Sequence, residues 1–348
     1  MMEMKRYSID RVKKATSIIL ASTNINKDEM SALVDVMLAS DLYGVYTHGF
    51  TVFSSHVNRI KRGGYQLGIE PIIDKEFPAF MTIDANNTIG MYSATFCMKQ
   101  AISRAQKAGI YSVFCKNCNT YGAAFYYTKM ATDKGLIGIT FCNSPSAMAP
   151  WGGCEKMFGT NPFAVGIPGE KKGPILFDMS TSIVAKSKIN EARKKGEKIP
   201  ENWALDSKGN PTSDPIEAIK GLIMPMAGAK GYGLAMTIDI IAGLLSGAAY
   251  QNKVGRFYSE DNSSMNVGQV FIAINPALVL SVDFYEMIDQ YIERIQRSKK
   301  KRDNSILFPG ERKLNSYSIN QKEGILLSDS TVTSINQLLS DVNSTYRL

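Results

Sequence analysis

The 348 residues carry 44% hydrophobic and 21% charged side chains, an ordinary globular composition that excludes disorder as the ground state and has enough apolar material for one elaborated domain or two. The formal charge of +8 is spread along the chain, and the local runs at 193–195 and 298–302 read as solvated helix ends, not as a nucleic-acid surface. A modest positive field of this kind suits anionic small molecules such as a dinucleotide or a carboxylate.

The opening MMEMKRYSID is polar and amphipathic with no apolar signal core, and no run reaches about 18 apolar residues, so a cytoplasmic chain without a membrane partner is expected. A first helix is expected over about 9–21. Asn26 and Glu29 have the spacing of a capping box, and Met30, Leu33, Val34, Met37 and Leu38 then recur at helical intervals up to a stop near Gly44. This helical layer leads into Thr47-His48-Gly49 and a further helix through Val57 and Ile60. From about residue 79 short β-rich runs alternate with helical ones. Strands are predicted over 80–83, 111–114, 137–141, 163–167 and 175–177, with helices over 91–107, closed by Gly109, and 123–132. Residues 191–215 read as a helix end and a loop, and Lys230-Gly231-Tyr232-Gly233 opens a long apolar helix to about 245. A strand over 270–274, a helix over 282–297 and an amphipathic tail with Val332, Ile335, Leu338 and Leu339 complete an α/β chain without internal repeats.

Five cysteines are an odd number for a disulfide framework, and reduced thiols are expected. Cys115 and Cys118 form a CxxC, but a structural zinc needs two further ligands at knuckle spacing, and His48 and His56 are the only histidines. No metal site is expected. A dinucleotide bound in the commonest way requires G-x-G-x-x-G after the first strand, and no such element exists; Gly231-Tyr232-Gly233 lies deep in the chain and lacks the third glycine. What remains is a set of Gly- and Ser/Thr-rich turns at strand ends and helix starts, where free N–H groups can hold phosphate. These are 121–124, 143–145, 159–162, 178–182 and 230–233. Each alone is an ordinary structural turn; their number is the signal.

The same segments carry a resemblance. THG at 47–49, SPSAMAPWGG at 144–153, GTNPFAVGIP at 159–168, FDMSTS at 177–182, WALDSKGNPTSDP at 203–215, KGYGLAMTIDIIAGLLSGA at 230–248, GQVFIAINP at 268–276 and PGE at 309–311 follow in order. Together they resemble the type 2 malate/L-lactate dehydrogenase family, which is unrelated to the Rossmann lactate and malate dehydrogenases, and the match spans nearly the whole chain. The resemblance implies a homodimer with an atypical, non-Rossmann NAD(P)-binding domain built on a mixed sheet, here 76–276. That domain is inserted between helical segments, 1–75 and 277–348, which serve substrate binding and dimerisation. It also implies hydride transfer between NADH or NADPH and a small carbonyl, hydroxy or cyclic imine substrate. Cofactor contacts carry over to His48, Tyr121, Gly122, Ser144, Thr160, Asp178, Met179, Ser180, Lys186, Lys230 and Glu311.

Reduction of a carbonyl needs a proton delivered to oxygen as hydride reaches carbon, and a group titrating near neutrality does this best. His48, in the position of the family's Ser-His-Gly, is the expected acid/base, with Asp178 orienting or balancing its charge. Thr47, Val52, His56 and Thr120 fall at substrate-side positions, and here the chain departs from the family. An arginine four residues after the histidine is replaced by Val52, a tyrosine eight residues after it by His56, and the histidine of N-H-F-G by Thr120. Valine cannot grip a carboxylate as a bidentate arginine does. The departures leave three expectations open: an active oxidoreductase with a shifted substrate, for which His56, Arg59 or Lys61 supplies a relocated cation, a dinucleotide-binding sensor or assembly protein that has lost catalysis, or a different activity built on the same scaffold.

Overall fold

The computed structural model describes residues 4–259, 262–302 and 304–348. A short strand β1 (Met4–Tyr7) precedes α1 (Ile9–Leu20), capped by Ser8, and α2 (Lys27–Leu42), where Asn26 and Glu29 form the reciprocal capping box. The chain then tightens into two 3-10 turns, Tyr46–His48 and Phe50–Val52, before α3 (Phe53–Lys61).

The central layer begins with β2 (Ile72–Glu76) and β3 (Phe80–Asp84), followed by α4 (Gly90–Ala108), which ends at Gly109 with φ of 86°. It continues through β4 (Ile110–Cys118), α5 (Phe125–Thr132), β5 (Ile137–Cys142), β6 (Phe163–Ile167) and β7 (Ile175–Met179). A smaller lobe then holds α6 (Lys186–Lys195), β8 (Ala204–Leu205), α7 (Pro215–Lys220) and β9 (Leu222–Ile223). After α8 (Ala229–Ile238) and a π-helical continuation (Asp239–Leu244), β10 (Val267–Ile274) returns to the sheet. The chain closes with α9 (Phe284–Gln296), α10 (Glu311–Glu323), β11 (Ile325–Ser328) and α11 (Asp329–Asp341).

The sheet has seven strands in the order β2-β3-β4-β10-β5-β6-β7. Only β3 and β4 run parallel, joined by the α4 crossover that a parallel pair demands. β10 lies in the middle and is buried along nearly its whole length, so it reads as a continuous apolar run, whereas β3 alternates buried and half-buried residues. The terminal helices pack against the sheet through one shared core, which reaches from Val12 and Leu33 through Val113 and Phe271 to Leu339. A second cluster, including Met148, Phe158, Ile189, Ala218 and Ile223, holds the small lobe.

Several short or weakly patterned elements, among them β1, β2, α10 and β11, were not expected from the sequence. β1 is polar and mostly exposed, and it exists by pairing with β11 at the other end of the chain. β2 is an exposed edge strand with no buried residue, so it shows no alternation to read; it also carries the sheet four residues ahead of the boundary expected at 76. α10, ERKLNSYSINQKE, buries only Asn320 and has no apolar stripe.

Candidate active site

A cavity of about 790 Å³ opens between the 46–56 segment, the loops after β4 and β5, the small lobe and the 256–259 segment. Of the residues singled out by sequence, Thr47, His48, Val52, His56, Thr120, Gly122, Ser144, Thr160 and Lys186 all line it. They come from positions as distant as 47 and 186, so the fold has gathered them.

His48 ends the first 3-10 turn and is open to the cavity. The turn is fixed from behind by Asp41, whose Oδ2 accepts the Phe50 N–H at 2.9 Å. Asp41 fits only because residue 49 is glycine: a Cβ there would fall 1.9 Å from Asp41 Oδ1. Asp41 is almost wholly buried, and desolvation pushes its carboxyl up to about 8, against the pull of the Phe50 N–H. Protein around the His48 ring lowers its pKa below the ordinary histidine value, and the Asp178 carboxylate opposes this. Burial raises Asp178, while Lys313, the Phe125 N–H at 3.1 Å and His48 pull it back. Lys313 is held by the Leu176 carbonyl at 3.2 Å and lies over the Phe125 ring. His48 and Asp178 thus act on each other electrostatically, with Asp178 half-buried near the end of β7 and outside the cavity lining.

His56 presents a different chemistry. Its Nδ1 meets the Tyr65 hydroxyl at 2.8 Å and its ring packs on Phe257 at 4.7 Å. Burial, reinforced by Arg59, lowers its pKa to about 3, so it stays neutral. It cannot supply the relocated cation that the sequence left open. Arg59 cannot either: it is buried and turned to the Phe257 and Ser263 carbonyls at 3.1 and 2.8 Å, where it pins the loop. Lys61 is exposed at the end of α3 and is not among the cavity residues. Among the described residues the lysine and arginine side chains that line the cavity are Lys156, whose Nζ donates to the Lys220 carbonyl at 2.9 Å, Lys186 and Arg256.

Backbone turns hold the hydroxyls in place. Asn161 Oδ1 accepts the Ser144 N–H at 3.0 Å, and its Nδ2 donates to the Ala235 carbonyl at 2.9 Å. Asn143 ties Gly268, Ala249 and Asp239 together beside it. Asn119 donates to Asn87 and Thr88 and so fixes Thr120 and Gly122 at the rim.

Other carried-over residues lie outside the cavity lining. The Tyr121 side chain is core, stacked on Tyr127 at 5.0 Å. Met179 ends β7, and Ser180 bonds to Ser182 within its own turn. Lys230 is exposed on the first turn of α8. Glu311, the first residue of α10, accepts from the Phe308 N–H and the Gln296 side-chain amide. Sequence reasoning missed Lys156, Arg256, Phe257, Tyr258 and Met265. Lys156 stands three residues before the GTNP turn, the one signal that could have found it. Cys115 and Cys118 are buried free thiols, and among the described residues no His, Cys, Asp or Glu cluster is placed to hold a metal ion.

The lining fits a dinucleotide. It offers hydroxyls from Thr47, Thr120, Ser144, Ser146, Thr160 and Ser259, cations from Lys156, Lys186 and Arg256, and an apolar wall of Ile189, Ala218, Ile219 and Ile223. No acidic side chain is present among the described lining residues. Among the described residues no helix is long and apolar enough to cross a membrane.

Comparison with known proteins identifies the family. The family model described as malate/L-lactate dehydrogenase matches residues 7–336. The chain is 36% identical over 327 residues to the malate/(S)-sulfolactate dehydrogenase of Methanothermus fervidus, which covers 93% of this chain and 94% of that protein. It is 32% identical over 297 residues to the NAD(+) ureidoglycolate dehydrogenase of Escherichia coli K12, with 84% of each covered. The solved sulfolactate dehydrogenase of Methanocaldococcus jannaschii superposes with a TM-score of 0.91 at 31% identity, covering 98% of both chains. The chain therefore belongs to the malate/L-lactate dehydrogenase family and is an NAD(P)-dependent oxidoreductase acting on CH–OH groups.

Proposed function

We propose that this chain interconverts a small hydroxy compound and its carbonyl counterpart, or a cyclic amine and its imine, with His48 as the general acid/base. NAD(P)H, when bound, supplies the hydride. His48 holds the proton at the substrate heteroatom, giving it up in reduction and taking it in oxidation. Asp178 orients the imidazole and stabilises its charged form, and Asp41 fixes the turn that carries it. What supports this reading is that His48 is open to the cavity lining while Asp178, half-buried at the end of β7, opposes the lowering of its pKa. Replacing His48 with alanine is expected to lower kcat by about 10²-fold or more while cofactor affinity stays within a few-fold. Near wild-type turnover in that variant refutes the assignment.

The substrate-side positions carried over from the family are neutral: Val52, Thr120 and the uncharged His56 line the cavity, with Met91, Phe257 and Met265 also in its wall, while Phe53 is fully buried and does not reach the cavity. This favours a substrate with a larger neutral body over the smallest 2-oxo acids. The homodimer is part of the same proposal. Ile240, Leu244 and Leu245, at the end of the α8 extension, are 47%, 55% and 64% exposed, an apolar patch suited to a second copy of the chain. Sedimentation of a monomer at micromolar concentration overturns it.

A further inference from the structure

On the side of His56 the cavity carries a cation that the proton transfer does not use. The lining residues that share a segment with His48, namely Thr47, Val52 and the neutral His56, bring no charge. Phe257 packs its ring on His56 at 4.7 Å, and its neighbour in the chain, Arg256, also lines the cavity. Arg256 is exposed, and among the described residues it makes no ion pair. Its charge is felt within the cavity, because Lys156 is held below the ordinary lysine range by burial and then by Lys186 and Arg256.

The segment that presents Arg256 is fixed from within. Its carbonyl accepts the Ser259 N–H at 3.3 Å and the Ser259 hydroxyl at 2.9 Å, which closes a tight turn. Behind that turn Arg59, 1% exposed, donates to the Phe257 and Ser263 carbonyls at 3.1 and 2.8 Å and lies over the Phe257 ring at 5.8 Å. A buried guanidinium bound to backbone carbonyls sets the course of the segment, and with it the place of the cation that opens to solvent. Arg59, a candidate substrate cation by sequence, is in the fold the support of a different one.

We propose that Arg256 is a specificity-determining residue that binds a carboxylate at the end of the substrate remote from the reacting carbon. The preferred substrates are then oxo compounds, with their hydroxy counterparts, that carry a distal carboxylate. The inference rests on the reading of His48 as the reacting end. A planar guanidinium takes a carboxylate through two parallel N–H bonds, while the uncharged Val52, His56 and Phe257 suit the methylenes that precede it. Such a pair favours the distal acid by about 10²-fold in kcat/KM.

The test is steady-state reduction by the full chain of 2-oxoadipate and 2-oxohexanoate, which differ only in ending in a carboxylate or a methyl group, together with titration of NADH and NADPH by nicotinamide fluorescence. Expected is a preference for 2-oxoadipate of about 10²-fold, expressed mainly in KM and reduced by added salt. Arg256→Ala, at an exposed position, should bring the two compounds within about 3-fold of each other and leave 2-oxohexanoate turnover and both dinucleotide Kd values within about 3-fold, with Arg256→Lys restoring part of the preference. Equal use of the two compounds by the parent overturns the proposal. So does a preference that survives Arg256→Ala, which would assign the distal group to another cation, or weakened dinucleotide binding in that variant, which would assign Arg256 to the cofactor. Reduction of other oxo compounds but of neither probe also overturns it and leaves the reaction standing, whereas failure to reduce any oxo compound or imine would strike the proposed reaction itself.

Discussion

Asp41 carries a carboxyl that folding keeps protonated near neutrality, and that has a measurable consequence. In the unfolded chain its pKa lies at the ordinary 3.8, and in the fold it rises to about 8. A carboxyl whose pKa rises on folding contributes most favourably at low pH, and stability is lost as pH rises through the interval between the two values. Each unit within that interval costs about 1.4 kcal/mol, so from pH 5 to pH 8 the loss assigned to this side chain is about 3–4 kcal/mol. Asp41→Asn keeps an oxygen to accept the Phe50 N–H and removes the titration. All other groups are shared and cancel in the difference between the two proteins. Urea unfolding of both at pH 5 and pH 8 should therefore show the variant gaining about 3 kcal/mol relative to the parent across that range. A difference that stays constant within 1 kcal/mol would mean that Asp41 is ionised in the fold, and the packing of this carboxyl against Gly49 would need another explanation.

Two further outcomes follow from the cavity. Pyruvate and oxaloacetate should show kcat/KM at least about 10²-fold below the best substrate found, because Val52 offers no charge-assisted bond to a carboxylate; Val52→Arg should raise their turnover, and a variant that improves no 2-oxo acid argues that the pocket has diverged beyond this position. Oxidation needs neutral His48, whose pKa is lowered from 6.5, so kcat/KM in that direction should climb with pH below 6.5 and level off above it. An ascending limb centred above 6.5 would assign the base to another group.

Local signals in the sequence were sufficient for the elements with a strong period or a capping pair. Asn26 and Glu29 mark the start of α2 because their side chains and backbones satisfy one another locally, whatever the rest of the chain does. β6 and α4 are legible for the same reason: their buried positions repeat at the spacing of their own backbone. The ordered motifs from THG at 47 to PGE at 309 likewise carried the family, and with it the absence of a Rossmann phosphate loop.

Tertiary structure alone decided the features that depend on partners distant in sequence. β1 and β11 are each too short and too weakly patterned to be read, and become strands by pairing across more than 300 residues. The same holds for charge: His56, Arg59 and Lys61 lie within six residues and look equally able to serve a substrate. Packing against Tyr65 and Phe257 makes the first neutral, the 257–263 segment claims the second, and solvent holds the third. Lys156 and Arg256, separated by 100 positions, come to face one cavity. A side chain's type is fixed by the sequence, but its protonation and its partners are set by burial and by neighbours, which exist only once the chain has folded.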